Sequence, residues 1–247
     1  NAGDQGAAVD ARLITLDGKD GTLHWMKEGL YWKGGPVIAD VDQDGMVEIV
    51  AINQYKHPVA YDGATGEIEW VSDVQLDNTY PHTTVADLFA DGSPEVIADT
   101  AIIDGKTGEL QWQTFLPSLI IGRMPAVGDI NLDGRQEIII GNRCLDASGN
   151  ELWTSNIQGD YGHWAAILNA DSDPFAEVAM VGSGRLAIYN HDGTTIENVI
   201  AGTNQPGPPC VADFDGDNTP EIAWASSSVF NMFELDGSIR WSASIND

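Results

Sequence analysis

Residues 36–50 read PVIADVDQDGMVEIV, an apolar segment, an acidic loop and a second apolar segment that opens on glutamate. The same order returns as TTVADLFADGSPEVI (83–97), PAVGDINLDGRQEII (125–139), AAILNADSDPFAEVA (165–179) and PCVADFDGDNTPEIA (209–223). The first loop residues are Asp40, Asp87, Asp129, Asn169 and Asp213, so the copies lie 47, 42, 40 and 44 positions apart. A tandem repeat therefore organises the chain.

A second motif alternates with the first: an apolar strand, a Gly-containing turn and a returning strand that closes on tryptophan. It occurs as TLDGKDGTLHW, YDGATGEIEW, IDGKTGELQW, LDASGNELW and LDGSIRW, and it ends at Trp25, Trp70, Trp112, Trp153 and Trp241. A further copy, around IYNHDGTTIENV, has lost its Trp. The motif is typical of a β-hairpin. We expect these Trp side chains to pack between neighbouring repeats, because Trp buries a large area at low conformational cost.

Together the two motifs predict strands A to D of one four-stranded antiparallel sheet, which must stack on its neighbours to bury both faces. This predicts an all-β fold, a β-propeller of about six such blades, either an incomplete ring or part of a larger one. We expect a single domain over 1–247, with a partial first blade at 1–25. The full blades are expected at about 36–72, 82–114, 125–155, 164–199 and 207–243.

The amino-acid composition limits the classes of partner that we expect for this chain. The chain carries 38 Asp and Glu against 11 Lys and Arg, a formal net charge of −27, so nucleic acid is not an expected partner. No apolar run approaches the roughly 20 residues that a membrane-spanning helix needs, so membrane insertion is not expected. Cys144 and Cys210 fall on different predicted blades and should be unpaired, because a disulfide needs Cα atoms within about 7 Å.

The acidic residues of each loop recur at alternate positions, which suggests cation ligands. In the first loop side-chain oxygens stand at positions 1, 3 and 5, a carboxylate stands at 9, and the residue at 7 can offer its backbone carbonyl, the arrangement that Ca²⁺ prefers. We expect three to four Ca²⁺ sites. Their residues are Asp40, Asp42, Asp44, Met46 and Glu48; Asp129, Asn131, Asp133, Arg135 and Glu137; Asn169, Asp171, Asp173, Phe175 and Glu177; and Asp213, Asp215, Asp217, Thr219 and Glu221.

The loops differ in quality. Gly45 and Gly134 suit the sharp turn at position 6, whereas Pro174 there fixes φ negative and makes the fourth loop a less regular site. The second loop has Phe89 at position 3, so Asp87, Asp91 and Glu95 are expected to bind weakly or not at all. The alternative for all five is a solvated acidic turn, which Asp and Gly favour in any case.

The acidic loops resemble the FG-GAP/VCBS repeats of integrin α-chain heads and secreted bacterial proteins, over residues 36 to 241. That resemblance implies calcium loops with a structural role and an extracellular or periplasmic location. The Trp hairpins also resemble those of quinoprotein dehydrogenase propellers. A quinone-dependent dehydrogenase is not expected, because the adjacent cysteine pair of many such enzymes is absent.

On the face opposite the acidic loops, the alternation of strands places aromatic and basic residues. The ligand-binding candidates are Trp32, Lys33, Tyr55, Lys56, His82, Arg143 and Tyr161. They favour a binding module for carbohydrate, lectin-like, or for a cell-surface protein. No nucleophile elbow, zinc-binding His pair or phosphate-binding loop is present, so no catalytic residues are predicted. The alternatives are a polysaccharide lyase on a calcium-binding propeller and a protein-interaction scaffold.

Overall fold

The computed structural model describes residues 11–31, 33–77, 80–116, 124–157, 163–201, 206–226 and 228–245. All of them lie in strands, turns or loops. Within these ranges no helix has the length and hydropathy needed to cross a membrane. The chain divides into two compact units, Asn1–Val85 with Ser93–Gln113 and Ala86–Gly92 with Thr114–Asp247, which we call the first and second units.

The first sheets follow one another along the chain without crossovers. Two strands, β1 (Ala11–Leu16) and β2 (Leu23–Leu30), form an antiparallel pair. The next sheet pairs β3 (Val37–Ala39), β4 (Glu48–Ile52), β5 (Pro58–Asp62) and β6 (Ile68–Val71) in order. The third pairs β7 (Thr83–Ala86), β8 (Glu95–Ala98), β9 (Ala101–Asp104) and β10 (Leu110–Gln113).

Three further sheets, all in the second unit, repeat this order. They consist of β11 (Ala126–Gly128), β12 (Glu137–Ile140), β13 (Arg143–Leu145) and β14 (Glu151–Thr154); β15 (Trp164–Leu168), β16 (Glu177–Gly182), β17 (Arg185–Tyr189) and β18 (Thr195–Ile200); and β19 (Cys210–Ala212), β20 (Glu221–Ala225), β21 (Val229–Phe233) and β22 (Ile239–Ser244). In each four-stranded sheet the acidic loop joins the first strand to the second, as the repeats predict.

The second strand of each four-stranded sheet forms the core. Strands β4, β8, β12 and β16 are buried along their whole length, which explains why their sequences are continuous apolar runs and not alternating ones. In the first unit Val50 of β4 packs in one cluster with Val96 of β8. In the second unit Ile139 of β12 packs with Val178 of β16. Within each unit, neighbouring sheets thus bury faces against each other.

A tryptophan joint links neighbouring sheets within each unit, and it confirms the predicted packing role for Trp25, Trp70 and Trp153. The Trp70 indole donates a hydrogen bond to the Gly105 carbonyl in the next C–D turn, at 2.9 Å, and is 8% exposed. Trp25 bonds to the Gly63 carbonyl and Trp153 to the His191 carbonyl, also at 2.9 Å. In the degenerate fifth repeat the aliphatic Val199 packs under the following turn at Gly237.

Glycine is required where the indole passes beneath the turn. A Cβ on Gly108 would lie 2.7 Å from the Trp70 ring, and one on Gly193 would lie 2.6 Å from Trp153. Both glycines also have positive φ, 75° and 83°. The Gly of each hairpin motif therefore serves the turn and the joint at once.

A register shift occurs in every hairpin, and it immediately precedes the Trp wherever the Trp is present. In β6, Ile68 pairs with Tyr61 and Trp70 with Ala60, so Glu69 is the extra residue of a β-bulge. The bulge residues of the six hairpins are His24, Glu69, Gln111, Leu152, Ile196 and Arg240. A bulge re-aims the side chain that it carries.

Both cysteines are free, which confirms the prediction that they do not pair. Cys144 lies on β13 and is fully buried, whereas Cys210 lies on β19 and is exposed. Burial raises the pKa of the Cys144 thiol to about 12.

Candidate functional site

The acidic loops fold by a ladder of side-chain to backbone hydrogen bonds. In the first loop Asp42 accepts the amide of Asp44 at 3.0 Å, and Asp44 accepts the amide of Met46 at 2.8 Å. Asp40 at position 1 accepts the amide of Gly45 at 3.1 Å. Each Asp is therefore held with its carboxylate turned toward the inside of the loop, which explains the alternation in the sequence.

The third and last loops repeat the ladder. Their position 5 residues, Asp133 and Asp217, accept the amides of Arg135 and Thr219 at 2.9 and 2.7 Å. Position 3 residues Asn131 and Asp215 accept the amide of position 5 in the same way. The backbone amide of each position 7 residue is thus fixed by a hydrogen bond to the position 5 side chain.

A buried glutamate closes each of these loops. Glu48 accepts the amide of Val41 at 2.8 Å, Glu137 that of Ile130 at 3.0 Å, and Glu221 that of Phe214 at 2.8 Å. One carboxylate oxygen of each thus holds the backbone at position 2. Burial, followed by repulsion from the loop aspartates, raises the pKa of Glu48 and raises that of Glu137 to about 7.

Three loops gather carboxylates closely enough to share one ion. The ligand atoms of Asp40, Asp42 and Glu48 lie within 4.8 Å of one another. So do those of Asp171, Asp173 and Glu177, and those of Asp213, Asp215, Asp217 and Glu221. In the described part of the chain, the third loop is not among such groups, and its Asn131 supplies an amide in place of a carboxylate.

Inside these clusters some carboxylate oxygens are buried without a hydrogen-bond partner. They are Oδ1 of Asp40, Oε1 of Glu177 and Oε1 of Glu221. Both glutamates have 0% exposure. A buried carboxylate oxygen without a donor is costly, and a hard cation would satisfy it. The donor set, all oxygen and mostly carboxylate, fits Ca²⁺ better than zinc or copper.

Backbone conformation separates the fourth loop from the others. The first loop has positive φ at positions 4 and 6, Gln43 at 65° and Gly45 at 91°, and the last loop has it at Gly216 and Asn218. The fourth loop, with Pro174 at position 6, has neither. Its Ala170 amide still bonds to Glu177, and Phe175 still bonds to Asp173, so the site forms by a different turn.

The residues of the second loop divide between the two units. Asp87 accepts the amides of Asp91 and Gly92 at 3.1 and 2.9 Å, within the second unit. Glu95 belongs to the first unit, is 2% exposed, and accepts Gln111 Nε2 at 3.3 Å. The loop has Phe89 at position 3, where the other acidic loops have an Asp or Asn side chain.

Three of the bulge residues, Glu69, Gln111 and Arg240, lie beside the acidic loops of their sheets, which the sequence reasoning missed. Arg240 pairs with Asp215, lies 3.8 Å from Glu221 Oε1, and bonds to Glu234 at 2.8 Å. Gln111 bonds to Glu95, as described above. Burial and the charges of Glu48 and Asp42 raise the pKa of Glu69 to about 7. In the sequence, the feature that could have pointed to these residues is the position just before each Trp. Its charge differs from repeat to repeat although the Trp is retained.

The structure brings several predicted ligand-binding residues together in the first unit. Lys33 Nζ lies 4.4 Å from the Tyr80 ring centroid, and Lys56 Nζ lies 5.4 Å from that of Tyr31. His82 forms an isolated β-bridge with Gly35, two residues after Lys33 in the chain. Tyr55, beside Lys56, is 66% exposed. We call Tyr31, Lys33, Tyr55, Lys56, Tyr80 and His82 the basic-aromatic cluster.

The remaining candidates lie elsewhere. Arg143, in the second unit, pairs with Glu151 at 3.3 Å, so its charge is locally compensated. Trp32 and Tyr161 lie outside the described residues. Burial lowers the pKa of His82, so the ring is neutral at neutral pH.

Comparison with solved structures shows the fold class to be a β-propeller, as predicted. The biofilm matrix protein Bap1 of V. cholerae has a TM-score of 0.66 and 21% identity, covering 86% of this chain and 39% of Bap1. A rhamnogalacturonan lyase of Bacillus licheniformis has 0.67 and 20%, covering 94% and 51%. BamB from Moraxella catarrhalis has 0.57 and 18%, covering 90% and 65%. The chain thus spans between about two fifths and two thirds of their lengths.

A search of the curated proteins found no match. A protein-family model described as outer membrane protein assembly factor BamB matches residues 6–165, which contain four of the five Trp hairpins. The acidic loops predicted the wrong family because a ladder of Asp side chains bonded to the backbone depends only on the local turn, which unrelated propellers can share. The Trp hairpins carry a long-range joint. Because the match covers more than half of the chain, the protein belongs to the BamB family, and the expected membership of the FG-GAP/VCBS family is wrong.

Proposed function

We propose that the chain is a non-catalytic binding module that Ca²⁺ stabilises and that acts in the periplasm or outside the cell. The observation that carries this proposal is the set of buried carboxylate oxygens without a hydrogen-bond partner, in Asp40, Glu177 and Glu221. Each lies in a cluster whose ligand atoms converge within 4.8 Å. A cation at each cluster would tie the first strand of the sheet to the second.

The proposed location follows from the cation and from the relatives. Loops of this kind can bind Ca²⁺ weakly, and weak sites fill only where Ca²⁺ is abundant, as it is outside the cytoplasm. The family description names the outer membrane, and Bap1 is named as a biofilm matrix protein. Both names support a periplasmic or extracellular setting.

Thermal unfolding in Ca²⁺ and in chelator tests the cation. Each filled site should add about 2.7 kcal/mol to the free energy of unfolding at a hundredfold excess over Kd, so the Tm should fall in EDTA. Asp40→Asn should reduce the calcium-dependent gain, whereas Asp236→Asn, which removes the same charge from an Asx turn outside the clusters, should leave it intact. An identical Tm in Ca²⁺, Mg²⁺ and EDTA would contradict the proposal.

For the ligand, we propose a carbohydrate that carries acidic groups, bound at the basic-aromatic cluster. The exposed Tyr55 and the half-exposed Tyr80 offer rings on which a sugar can stack, while Lys33 and Lys56 offer positive charge. A glycan array run with Ca²⁺ should show binding that Tyr55→Ala weakens about tenfold. Phe115→Ala, at an aromatic residue 77% exposed outside the cluster, should bind normally.

A protein ligand is the second candidate, because the family description names an assembly factor. Binding to an acidic peptide, with no binding to any glycan, would favour it. Turnover of a bound polysaccharide into unsaturated products would instead favour the lyase alternative. His82 is then the base to test, since its pKa is lowered and its ring is neutral.

A further inference from the structure

In the third and last sheets, the bulge residue before the strand-D Trp lies next to the acidic loop of the same sheet. In the third sheet the bulge residue Gln111 reaches Glu95, the closing glutamate. In the last sheet the bulge residue Arg240 reaches Glu221, again the closing glutamate. Two sheets of different units therefore show the same bulge-to-glutamate approach.

The chemical character of this residue changes from sheet to sheet. It is acidic in the second sheet (Glu69), neutral in the third (Gln111) and basic in the last (Arg240). By register, Glu69 stands toward Glu48 as Gln111 stands toward Glu95. A carboxylate there adds to the negative charge of its loop, and a guanidinium there offsets it.

In the last loop the guanidinium stands among the carboxylates where a cation would be drawn. Arg240 pairs with Asp215 at position 3 and Glu221 at position 9, and Glu234 holds it from outside the loop. The Oε1 atom of Glu221 is buried and lacks a hydrogen bond, so the guanidinium compensates its charge without donating to it. The loop with the largest carboxylate cluster thus contains its own positive charge.

We propose that the strand-D bulge residue sets the cation requirement of its acidic loop, and that Arg240 is a built-in counter-ion that weakens Ca²⁺ binding at the last loop. This rests on the proposed function, since it assigns different affinities to sites proposed there. The first loop, with Glu69 beside it, is the tighter site. A count of carboxylates alone gives the opposite order.

Calorimetric titration of the folded chain with CaCl₂ tests the proposal. Arg240→Gln should tighten one site at least tenfold or add one site, and Arg240→Lys should behave like the wild type. Lys19→Gln makes the same change of net charge on an exposed turn of the first sheet, which has no acidic loop, so it should change nothing. If Arg240→Gln and Lys19→Gln changed the Ca²⁺ affinity equally, net charge alone would explain the effect, and the proposal would be overturned.

The reciprocal variant covers the case in which Arg240→Gln fails to fold. Glu69→Arg should transplant the counter-ion and weaken the tightest site at least tenfold, whereas Glu67→Arg, on the adjoining turn before the bulge, should not. If the wild type binds Ca²⁺ but Glu69→Arg binds it equally well, the bulge proposal fails and the proposed function stands. If neither the wild type nor any variant binds Ca²⁺, both fail.

Discussion

At single residues, the sign of φ decides what the acidic loops tolerate. Gly134 has a φ of 91°, and a Cβ added to it would meet no atom within 4 Å. Gly18 offers the same open space without a positive φ. The two glycines therefore differ in backbone conformation but not in the room around them.

We predict that Gly134→Ala lowers the free energy of unfolding by about 1–2 kcal/mol, the cost of placing an L side chain in the left-handed region. Gly18→Ala should be neutral or stabilising by less than about 1 kcal/mol. Urea unfolding in EDTA measures both without a contribution from bound metal. Equal losses in the two variants would show that φ is not the cause.

The two thiols should differ sharply in reactivity. Cys144 is fully buried and its pKa is raised to about 12, so it has almost no thiolate at neutral pH. Cys210 is exposed. A chromogenic disulfide reagent should therefore label one thiol in the native protein and two in denaturant, and Cys210→Ser should abolish native labelling. Rapid native labelling of the Cys210→Ser variant would contradict the buried placement of Cys144.

His82 should make stability sensitive to acid. Its folded-state pKa is lowered by burial, whereas an unfolded histidine titrates near 6.5. Above that pH both states are neutral and the residue contributes nothing. Below it the unfolded state gains a proton that the folded state refuses, so the free energy of unfolding falls. In EDTA, the drop between about pH 7.5 and 5.5 should be smaller in His82→Gln; an equal drop would contradict this.

At the level of the strand and its hairpin, the tryptophan joint is the repeated stabilising contact. Trp70 is buried and donates to the Gly105 carbonyl. Trp241 closes the last hairpin but is 43% exposed and stacks on Phe230 of its own sheet. The same sequence motif thus has two environments.

Trp70→Phe should lower the free energy of unfolding by about 2–3 kcal/mol, because it removes a hydrogen bond from a buried carbonyl and leaves space in the core. Trp241→Phe keeps the stacking on Phe230 and should cost less than about 1 kcal/mol. Chemical denaturation of both variants is the measurement. A Trp241→Phe loss as large as that of Trp70→Phe would mean that the joint is not what stabilises the hairpin.

Much of the strand and hairpin structure was predictable from the sequence, because the acidic loop and the Trp hairpin are both local motifs. The acidic loop and the Gly turn set the strand boundaries, and the buried second strand follows from runs such as EIVAI at Glu48–Ile52. The bulge was not predictable, since Glu69 and Arg240 occupy an apparently ordinary alternating strand. Which residue meets a closing glutamate depends on that single extra residue.

At the level of the whole molecule, the charge of −27 is the dominant fact. The sequence predicted where the acidic loops lie, yet it could not show that Arg240 compensates one of them or that Arg143 is paired with Glu151. Those pairs are set by cross-strand register, and a one-residue shift changes them.

Because the chain carries a net charge of −27, screening of its negative charges by salt should stabilise the metal-free protein. In EDTA, raising NaCl from about 0.01 M to about 0.15 M shortens the Debye length from about 30 to 8 Å and should raise the Tm. Ca²⁺ at matched ionic strength should raise it further, because a bound ion acts inside the loops. If NaCl lowers the Tm, self-repulsion is not limiting; if it reproduces the full effect of Ca²⁺, the ion acts only as a screen.

The tryptophan joint also bears on how such a chain can change in length. One half of the joint, the indole, closes a repeat, and the other half, the turn carbonyl and its glycine, belongs to the next. Any repeat that carries both halves fits before or after any other. Duplication or deletion of one repeat in the gene then leaves every joint with both of its halves. Val199, which packs under the turn at Gly237, shows that neighbouring sheets still pack where the Trp is lost.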